Sequence, residues 1–177
     1  MKRKEISHTE HFPLVINAMT SRGLLLAAYD KTGRANAMAI GWCALGGVWS
    51  MPMCIVLVRP SRYTYECIEQ AGCFTVNVPP PRLADSCLIC GTRSGRDGDK
   101  LAEAGLTVEK AETVDAPVIV ECPVVYECRV VHRNDIIPDE LAEKIENDFY
   151  SGEDYHRVYF GRILSVRAVE NAGELLG

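Results

Sequence analysis

The sequence has no surplus of basic residues. Its 177 residues include 19 Lys and Arg against 24 Asp and Glu, which gives a formal net charge of −5. Proteins that bind nucleic acids neutralise phosphates with excess Lys and Arg, so this balance argues against a nucleic-acid partner. Hydrophobic residues make up 47% of the chain, which is enough to build the core of one globular domain.

An export signal is also lacking. The basic start, Lys2-Arg3-Lys4, is followed by polar and charged residues where a signal peptide would have an apolar segment. We therefore expect a cytoplasmic protein whose eight cysteines are reduced thiols rather than a disulfide framework. No metal site is expected, because a zinc centre needs more paired ligands than Cys87-Leu88-Ile89-Cys90 supplies. For Cys87 and Cys90, buried packing thiols and a redox-active dithiol both stay open.

One uncharged segment is long enough to span a membrane. Residues 35–58 contain no charged side chain, and about 20 apolar residues suffice for a spanning helix. However, Gly46, Gly47 and Pro52 interrupt the segment. Two apolar strands joined by a glycine-containing turn explain it better than one membrane helix.

Strand signals dominate the chain. Apolar or alternating segments bounded by turn residues predict strands at 24–29, 35–44, 53–58, 73–78, 125–133 and 155–169. Helical patterns are short and predict helices at 63–71, 83–90, 99–104 and 139–150. The βαβ alternation and glycine-rich first turn of a dinucleotide-binding domain are missing. The pattern therefore predicts a mainly β protein, a closed antiparallel barrel with short helices.

The strongest candidate site follows the strand at 53–58. Pro60 prevents the strand from continuing, and Arg59, Ser61 and Thr64 stand where the helix at 63–71 begins. Free amides at a helix N-terminus favour an anion, and these side chains add charge and hydroxyl donors, so the segment suits a phosphate. A capping role for Ser61 with solvated arginines is the simpler alternative.

Two further segments fit the same site. Residues 91–100 form a polar, glycine-rich loop whose Ser94 and Lys100 could approach the same anion, although the spacing of a Walker loop is absent. Residues 36–42 form a strand of mostly small residues that would let a flat ring lie against its backbone. Taken singly, an exposed loop and an ordinary core strand explain them better than a binding site does.

The order of these motifs resembles the flavin reductase-like family, which includes flavoredoxins and the small reductase components of two-component monooxygenases. The resemblance runs from about Pro13 to Val169. It rests on five motifs: Asn36-x-Met38-x-x-x-Trp42, Arg59-x-Ser61-x-Tyr63-Thr64, Phe74-Thr75-Val76-Asn77-Val78-Pro79, Ser94-Gly95-x-Asp97-x-Asp99-Lys100 and Asp115-Ala116-Pro117. Two features depart from the family pattern, namely Ile89-Cys90 before the second loop and an acidic insertion near the end.

The resemblance implies an antiparallel FMN-binding split barrel and a homodimer with the flavin near its interface. It divides the chain into an N-terminal tail (1–12) and one domain (13–177) with an acidic helical insertion at about 138–152. The phosphate ligands it implies are Arg59, Ser61 and Thr64, supported by Ser94 and Lys100, and Tyr63 and Gly95 are further cofactor-binding candidates. For the wall beside the flavin ring, the resemblance implies Asn36, Met38, Ala39, Ile40, Gly41 and Trp42. His156, before the closing strand, is a further candidate for the flavin pocket, and a surface position suits it equally.

The resemblance implies an NAD(P)H-dependent flavin reductase, in which FMN accepts a hydride from transiently bound NADH or NADPH. No catalytic side chain is expected, because the cofactor carries the chemistry. The alternative is a flavoredoxin-like electron-transfer protein reduced by a protein partner, and a redox protein or monooxygenase is the expected partner. A barrel that has lost its flavin is a third alternative, since one fold supports all three.

Overall fold

The computed structural model describes residues 2–177. Its strands are β1 (Lys4–Glu5), β2 (Leu24–Tyr29), β3 (Ala35–Ile40), β4 (Cys43–Val48), β5 (Met51–Val58), β6 (Cys73–Val78), β7 (Val108–Lys110), β8 (Pro117–Ile119), β9 (Val124–Asp135) and β10 (Arg157–Ala168). Its helices are α1 (Phe12–Ser21), α2 (Tyr63–Ala71), α3 (Ala84–Thr92), α4 (Lys100–Glu103), α5 (Glu143–Phe149) and α6 (Ala172–Leu176). Short 3-10 turns occupy Pro81–Leu83 and Pro138–Glu140. None of these helices is long and apolar enough to cross a membrane.

One antiparallel sheet organises the molecule. Its strand order is β3-β2-β6-β9-β10-β5-β4, β1 pairs with β10, and β7 and β8 form a separate small ribbon. The predicted mainly β antiparallel architecture with short helices is confirmed. The expectation of a closed barrel is wrong, because β3 and β4 stand at opposite ends of the sheet order.

The two ends of the sheet nevertheless lie close together at one corner. Only Gly41 and Trp42 separate the end of β3 from the start of β4, and consecutive Cα atoms are about 3.8 Å apart, so these strand ends are at most about 11 Å apart. The Trp42 carbonyl also accepts a hydrogen bond from the Leu57 amide of β5 at 3.4 Å. The sheet therefore curls into a barrel that is split along one side.

The main core fills the inside of this curled sheet. Its largest buried side chains include Tyr126, Tyr159 and Phe74, and α1, α2 and α6 close its ends with further apolar residues. A second apolar cluster lies between the outer face of β2 and β3 and the helices α3 and α4. This second layer holds α3 and α4 against β3.

The β4–β5 hairpin differs from its predicted form. Gly46 and Gly47 lie inside β4, opposite Met53 and Pro52. The turn is made by Trp49 and Ser50, both of which have positive φ angles (52° and 57°), as a two-residue hairpin turn requires. The single strand predicted for 35–44 is likewise divided, because the chain crosses from one sheet edge to the other at residues 41–42.

The ends of the chain are more structured than a tail would be. Lys4 and Glu5 pair with Ala168 and Arg167 of β10, and the buried Arg3 side chain donates to the carbonyls of Ile119, Val120 and Cys122. The insertion between β9 and β10 holds a shorter helix than expected, α5. Helix α1, which has a short apolar stripe, and the five-residue helix α6 were not predicted.

We expect Gly161→Ala to destabilise the fold by about 1–3 kcal/mol, because overpacking a filled core forces neighbours to move. A Cβ atom at Gly161 in β10 would overlap the Phe74 ring and stand 3.0 Å from the Cys54 carbonyl oxygen. Urea denaturation measures the change in free energy of unfolding. Gly46→Ala is the matched control, since a Cβ there meets nothing within 4 Å; equal effects of both substitutions would contradict the packing argument.

Candidate functional site

Two adjoining cavities open at the corner where the sheet edges meet. We call the first the phosphate lobe, a cavity of about 140 Å³ between the start of α2 and the loop after α3. We call the second the ring lobe, a cavity of about 160 Å³ along the end of β3. Met38 and Arg62 line both, so the two lobes adjoin each other.

The phosphate lobe is strongly cationic. Its lining includes Arg62, Arg93, Arg96 and Lys100 together with the hydroxyl side chains of Ser61, Tyr63, Thr64, Thr92 and Ser94. Guanidinium and ammonium groups next to hydroxyls are the donors that phosphate oxygens accept from in proteins. The donor set therefore fits a phosphate monoester, in a protein whose overall charge is negative.

Thr64 is oriented by a neighbour in β3. The buried Asn36 amide donates to the Thr64 hydroxyl oxygen at 2.8 Å. Because this oxygen already accepts a bond, the hydroxyl proton of Thr64 is left to donate into the lobe. The Ser94 hydroxyl is similar, since its oxygen accepts from the Arg96 amide at 3.2 Å.

Lys100 reaches the lobe from the first turn of α4. The Asp99 carboxylate accepts from the Ala102 amide at 3.1 Å and caps this helix. The Lys100 ammonium is buried and donates to the carbonyls of Cys90 and Arg93, both at 3.2 Å. Burial lowers the pKa of Lys100, because desolvation disfavours the charged form. A bound anion would offset that penalty and accept the third ammonium proton.

The start of α2 is fixed by a network beneath the lobe. Tyr63 donates its hydroxyl proton to the Asp30 carboxylate at 2.8 Å, and the Arg96 guanidinium lies over the Tyr63 ring at 5.2 Å. Burial opposes ionisation of Asp30, but hydrogen bonds from Thr32, Tyr63 and the Thr32 and Arg34 amides outweigh it and lower the pKa of Asp30. Asp30 thus stays charged and holds Tyr63 and Arg34 in place.

The ring lobe is a flatter cavity with fewer cationic side chains in its lining. Its lining is Met38, Ala39, Ile40, Gly41, Trp42, Leu57, Arg59, Arg62 and His156. Since β3 is the last strand at one end of the sheet, one row of its backbone N–H and C=O groups faces away from β2. This arrangement offers a planar heterocycle both a flat wall and backbone hydrogen-bonding partners.

His156 closes the other side of the ring lobe. Its imidazole is buried, lies 4.7 Å from the Trp42 ring between centroids, and shares a hydrogen bond of 2.9 Å between Nδ1 and the Tyr150 hydroxyl. Burial lowers the pKa of His156 from 6.5 to about 4, and the nearby Arg59 adds to the effect. The imidazole is therefore neutral near pH 7.

Arg59 and Ser61 have partners within the protein. The Asp154 carboxylate accepts from the Ser61 amide at 3.1 Å and from the Ser61 hydroxyl at 2.6 Å. Arg59 donates to the carbonyls of Asp154 and Phe149, at 3.0 and 2.5 Å, and its Nη1 lies 3.7 Å from the Asp154 carboxylate. Ser61 is not the helix cap, because Arg62 occupies that position.

The structure thus brings most of the predicted site residues together. Ser61, Tyr63, Thr64, Ser94 and Lys100 line the phosphate lobe, and those lining the ring lobe are Met38, Ala39, Ile40, Gly41, Trp42, Arg59 and His156. Asn36 and Gly95 lie one layer behind the residues that line the two lobes. Gly95 packs directly against Asn36, where a Cβ would overlap the amide oxygen and stand 2.9 Å from Tyr63 Cδ1.

Sequence reasoning missed Arg62 and Arg96 as site residues. Arg62 was visible inside the motif at 59–64, and three basic residues in the loop at 91–100 were a signal for Arg96. The contribution of Asp154 had no such signal, because Asp154 is 93 positions from Ser61.

The cysteines lie mostly in the interior. All eight are free thiols, and seven are buried. Burial raises the pKa of Cys87 to about 11 and also raises the pKa of Cys90, so both stay protonated and weakly nucleophilic near pH 7. Among residues 2–177, no group of three or more His, Cys, Asp or Glu side chains is arranged to hold a metal ion.

Comparison with known proteins identifies the family of the chain. A family model described as the flavin reductase like domain matches residues 16–176. A protein of Aeropyrum pernix described as uncharacterized is 30% identical over 84 residues, which is 47% of this chain. The match spans only 32% of that relative's length, so it says nothing about the whole relative.

Several solved structures are similar. The flavoredoxin of Desulfovibrio vulgaris (Miyazaki F) has a TM-score of 0.68 at 28% identity, covering 84% of this chain and 69% of its own. A flavoredoxin of Methanosarcina acetivorans has a TM-score of 0.68 at 32% identity, covering 84% and 68%. A split barrel domain protein of Shewanella frigidimarina NCIMB 400 has a TM-score of 0.68 at 20% identity, covering 92% and 76%. This last likeness concerns the fold alone, and the predicted split barrel is confirmed.

We expect His156 to make stability depend on pH between about 6.5 and 4. In this window the unfolded chain takes up a proton that the folded chain excludes, since the folded pKa is about 4. This contribution is fully present above pH 6.5 and is lost as the pH falls. Urea midpoints from pH 7.5 to 4.5 should therefore fall less steeply for His156→Gln than for the wild type. The exposed His8→Gln is the control, and an NMR titration of His156 centred near pH 6.5 would contradict the account.

Proposed function

Because the chain belongs to the flavin reductase-like family, we propose that it binds FMN across the phosphate lobe and the ring lobe. The observation that carries this proposal is the pair of adjoining lobes. Thr64, Ser94, Lys100 and Arg62 line the phosphate lobe, and the flat wall of β3 lines the ring lobe beside it. A flavin mononucleotide has the same two parts, a phosphate monoester and a planar ring, joined by a flexible chain.

The residues divide the work of binding. Thr64, Ser94 and Lys100 hold the phosphate, and Arg62 and Ser61 supply further donors from the start of α2. Backbone groups of residues 38–42 orient the edge of the flavin ring. Trp42 and the neutral His156 lie beside the ring and limit the access of water to it. Arg59 borders the ring lobe and also forms an ion pair with Asp154.

We propose that the protein is an NAD(P)H-dependent flavin reductase. Bound FMN would supply a ring that accepts a hydride and passes electrons on. No side chain is required as a nucleophile, which agrees with the protonated Cys90 thiol in the lining of the phosphate lobe.

A flavoredoxin-like electron carrier is the second candidate. The two flavoredoxins of similar structure at 28% and 32% identity favour it. In that case a redox protein would reduce the flavin, and the same lobes would serve only to bind it.

A homodimer is part of the proposal. Each lobe, at about 140–160 Å³, is smaller than the roughly 300–1,000 Å³ of typical ligand pockets. A second subunit over the open side would complete the enclosure of the flavin. The exposed aromatic surface formed by Trp49 (58% exposed), His132 and Phe160 supports such an interface.

Flavin selectivity tests the phosphate lobe. We expect Arg62→Ala to weaken FMN by about 10–100-fold, since a charge-assisted hydrogen bond contributes about 1.5–3 kcal/mol, while riboflavin binding changes little. Quenching of flavin fluorescence measures both dissociation constants. Arg82→Ala, an exposed arginine outside both lobes, is the control. Equal weakening of FMN and riboflavin by Arg62→Ala would remove Arg62 from the phosphate site.

The same pair of ligands tests Arg59. Selective loss of FMN in Arg59→Ala would support a direct contact between Arg59 and the phosphate. Equal weakening of both flavins would instead assign Arg59 to holding residues 149–154 beside the ring lobe.

Anaerobic mixing with NADH and NADPH separates the two candidate functions. For a reductase, the absorbance of bound FMN near 450 nm should bleach within seconds of mixing, since typical enzymes turn over at about 1–1,000 per second. Flavin that stays oxidised with both nucleotides, but is reduced by a protein donor, would establish the carrier. Protein that binds no FMN at all would refute both.

A further inference from the structure

Residues 143–154, which we call the lid, fold as a small unit outside the barrel. The Glu146 carboxylate accepts from the Gly152 amide at 2.7 Å and from the Tyr155 hydroxyl at 2.8 Å. Ser151, Gly152 and Asp154 have positive φ angles, so the chain turns sharply here. None of the residues of α5 is buried, which leaves this helix without an anchor in the core.

The lid touches the molecule at the ring lobe. The Phe149 ring meets the Trp42 ring edge-on with centroids 5.2 Å apart, although Phe149 remains 49% exposed. Tyr150 is buried beneath the Arg59 guanidinium, which lies 5.2 Å from its ring, and bonds to His156. All three of these partners, Trp42, Arg59 and His156, line the ring lobe, so the lid packs against residues that border this cavity.

One polar cluster fastens the end of the lid. We call it the clasp, and it consists of Asp154 with Arg59 and Ser61. The Asp154 carboxylate takes the Ser61 amide and hydroxyl protons and lies 3.7 Å from Arg59 Nη1. Ser61 is exposed and Arg59 and Asp154 are only half-buried, so solvent screens the ion pair and the contact is exchangeable.

Ser61 belongs to the clasp and to the phosphate lobe at once. Its hydroxyl can donate to the Asp154 carboxylate or to an anion in the lobe, but it has a single proton to give. The Asp154 carboxylate thus occupies donors that a phosphate oxygen would also take. A phosphate in the lobe and the closed clasp therefore compete for Ser61.

We propose that residues 143–154 form a lid at the edge of the ring lobe that Asp154 holds in place, and that an arriving phosphate monoester in the phosphate lobe releases it by displacing Asp154 from Ser61. The identity of that ligand as the phosphate of FMN rests on the proposed function. The lid couples occupation of the phosphate lobe to access to the ring lobe. The Asp154 carboxylate, just after the acidic insertion, occupies the donors that the phosphate of the ligand would take.

Hydrogen exchange of the flavin-free protein tests the clasp. Asp154→Ala should speed amide exchange in residues 143–153 at least tenfold and should leave β6 and β9 unchanged. Glu153→Ala, its exposed neighbour, is the matched control and should exchange as the wild type does. Unchanged exchange of the lid in Asp154→Ala would overturn the proposal.

Inorganic phosphate tests the competition in the wild-type protein, without any variant. Millimolar phosphate should speed exchange of the lid several-fold relative to potassium chloride of equal ionic strength, and should have no effect in Asp154→Ala. An identical response to both salts would refute displacement of Asp154 by phosphate.

Stopped-flow binding of FMN separates this proposal from the proposed function. FMN should associate at least fivefold faster with Asp154→Ala than with the wild type or Glu153→Ala. If FMN binds neither form while phosphate still opens the lid, the flavin function fails and the lid stands. If FMN binds both forms at the same rate, the lid fails and the flavin function stands.

Discussion

The site depends on the short connection between two strands that stand at opposite ends of the sheet. Because only Gly41 and Trp42 join β3 to β4, the sheet must curl until its two edges meet at this corner. The same geometry leaves one backbone edge of β3 without a strand partner next to the corner. The split in the barrel is therefore the opening of the ring lobe, and the backbone that lines it is held by the pairing of β3 with β2.

The phosphate lobe depends on this strand as well. Asn36 of β3 orients the Thr64 hydroxyl, and Gly95 lets the second loop pack directly on Asn36. The lobe then concentrates four cationic side chains in a protein of net charge −5. The buried Lys100 ammonium donates to the carbonyls of Cys90 and Arg93, which offsets part of the cost of desolvating a cation.

Local sequence signals predicted the elements but not their long-range contacts. The strands at 24–29 and 73–78 and the helix at 63–71 were predicted with their observed bounds, because apolar runs there end at clear turn or breaker residues. The β4–β5 turn was misplaced, since Trp49 and Ser50 adopt positive φ angles that glycine usually supplies. The contact of Asp154 with the phosphate segment joins distant parts of the chain, and no local pattern reports it.

A crystal structure of the protein with FMN tests the account most directly. The account predicts the phosphate within hydrogen-bonding distance of the Thr64 hydroxyl and the Lys100 ammonium, and the flavin ring against the backbone of residues 38–42. Flavin bound elsewhere, for example in the charged cavity of about 400 Å³ lined by Arg3, Glu127 and Arg167, would contradict it.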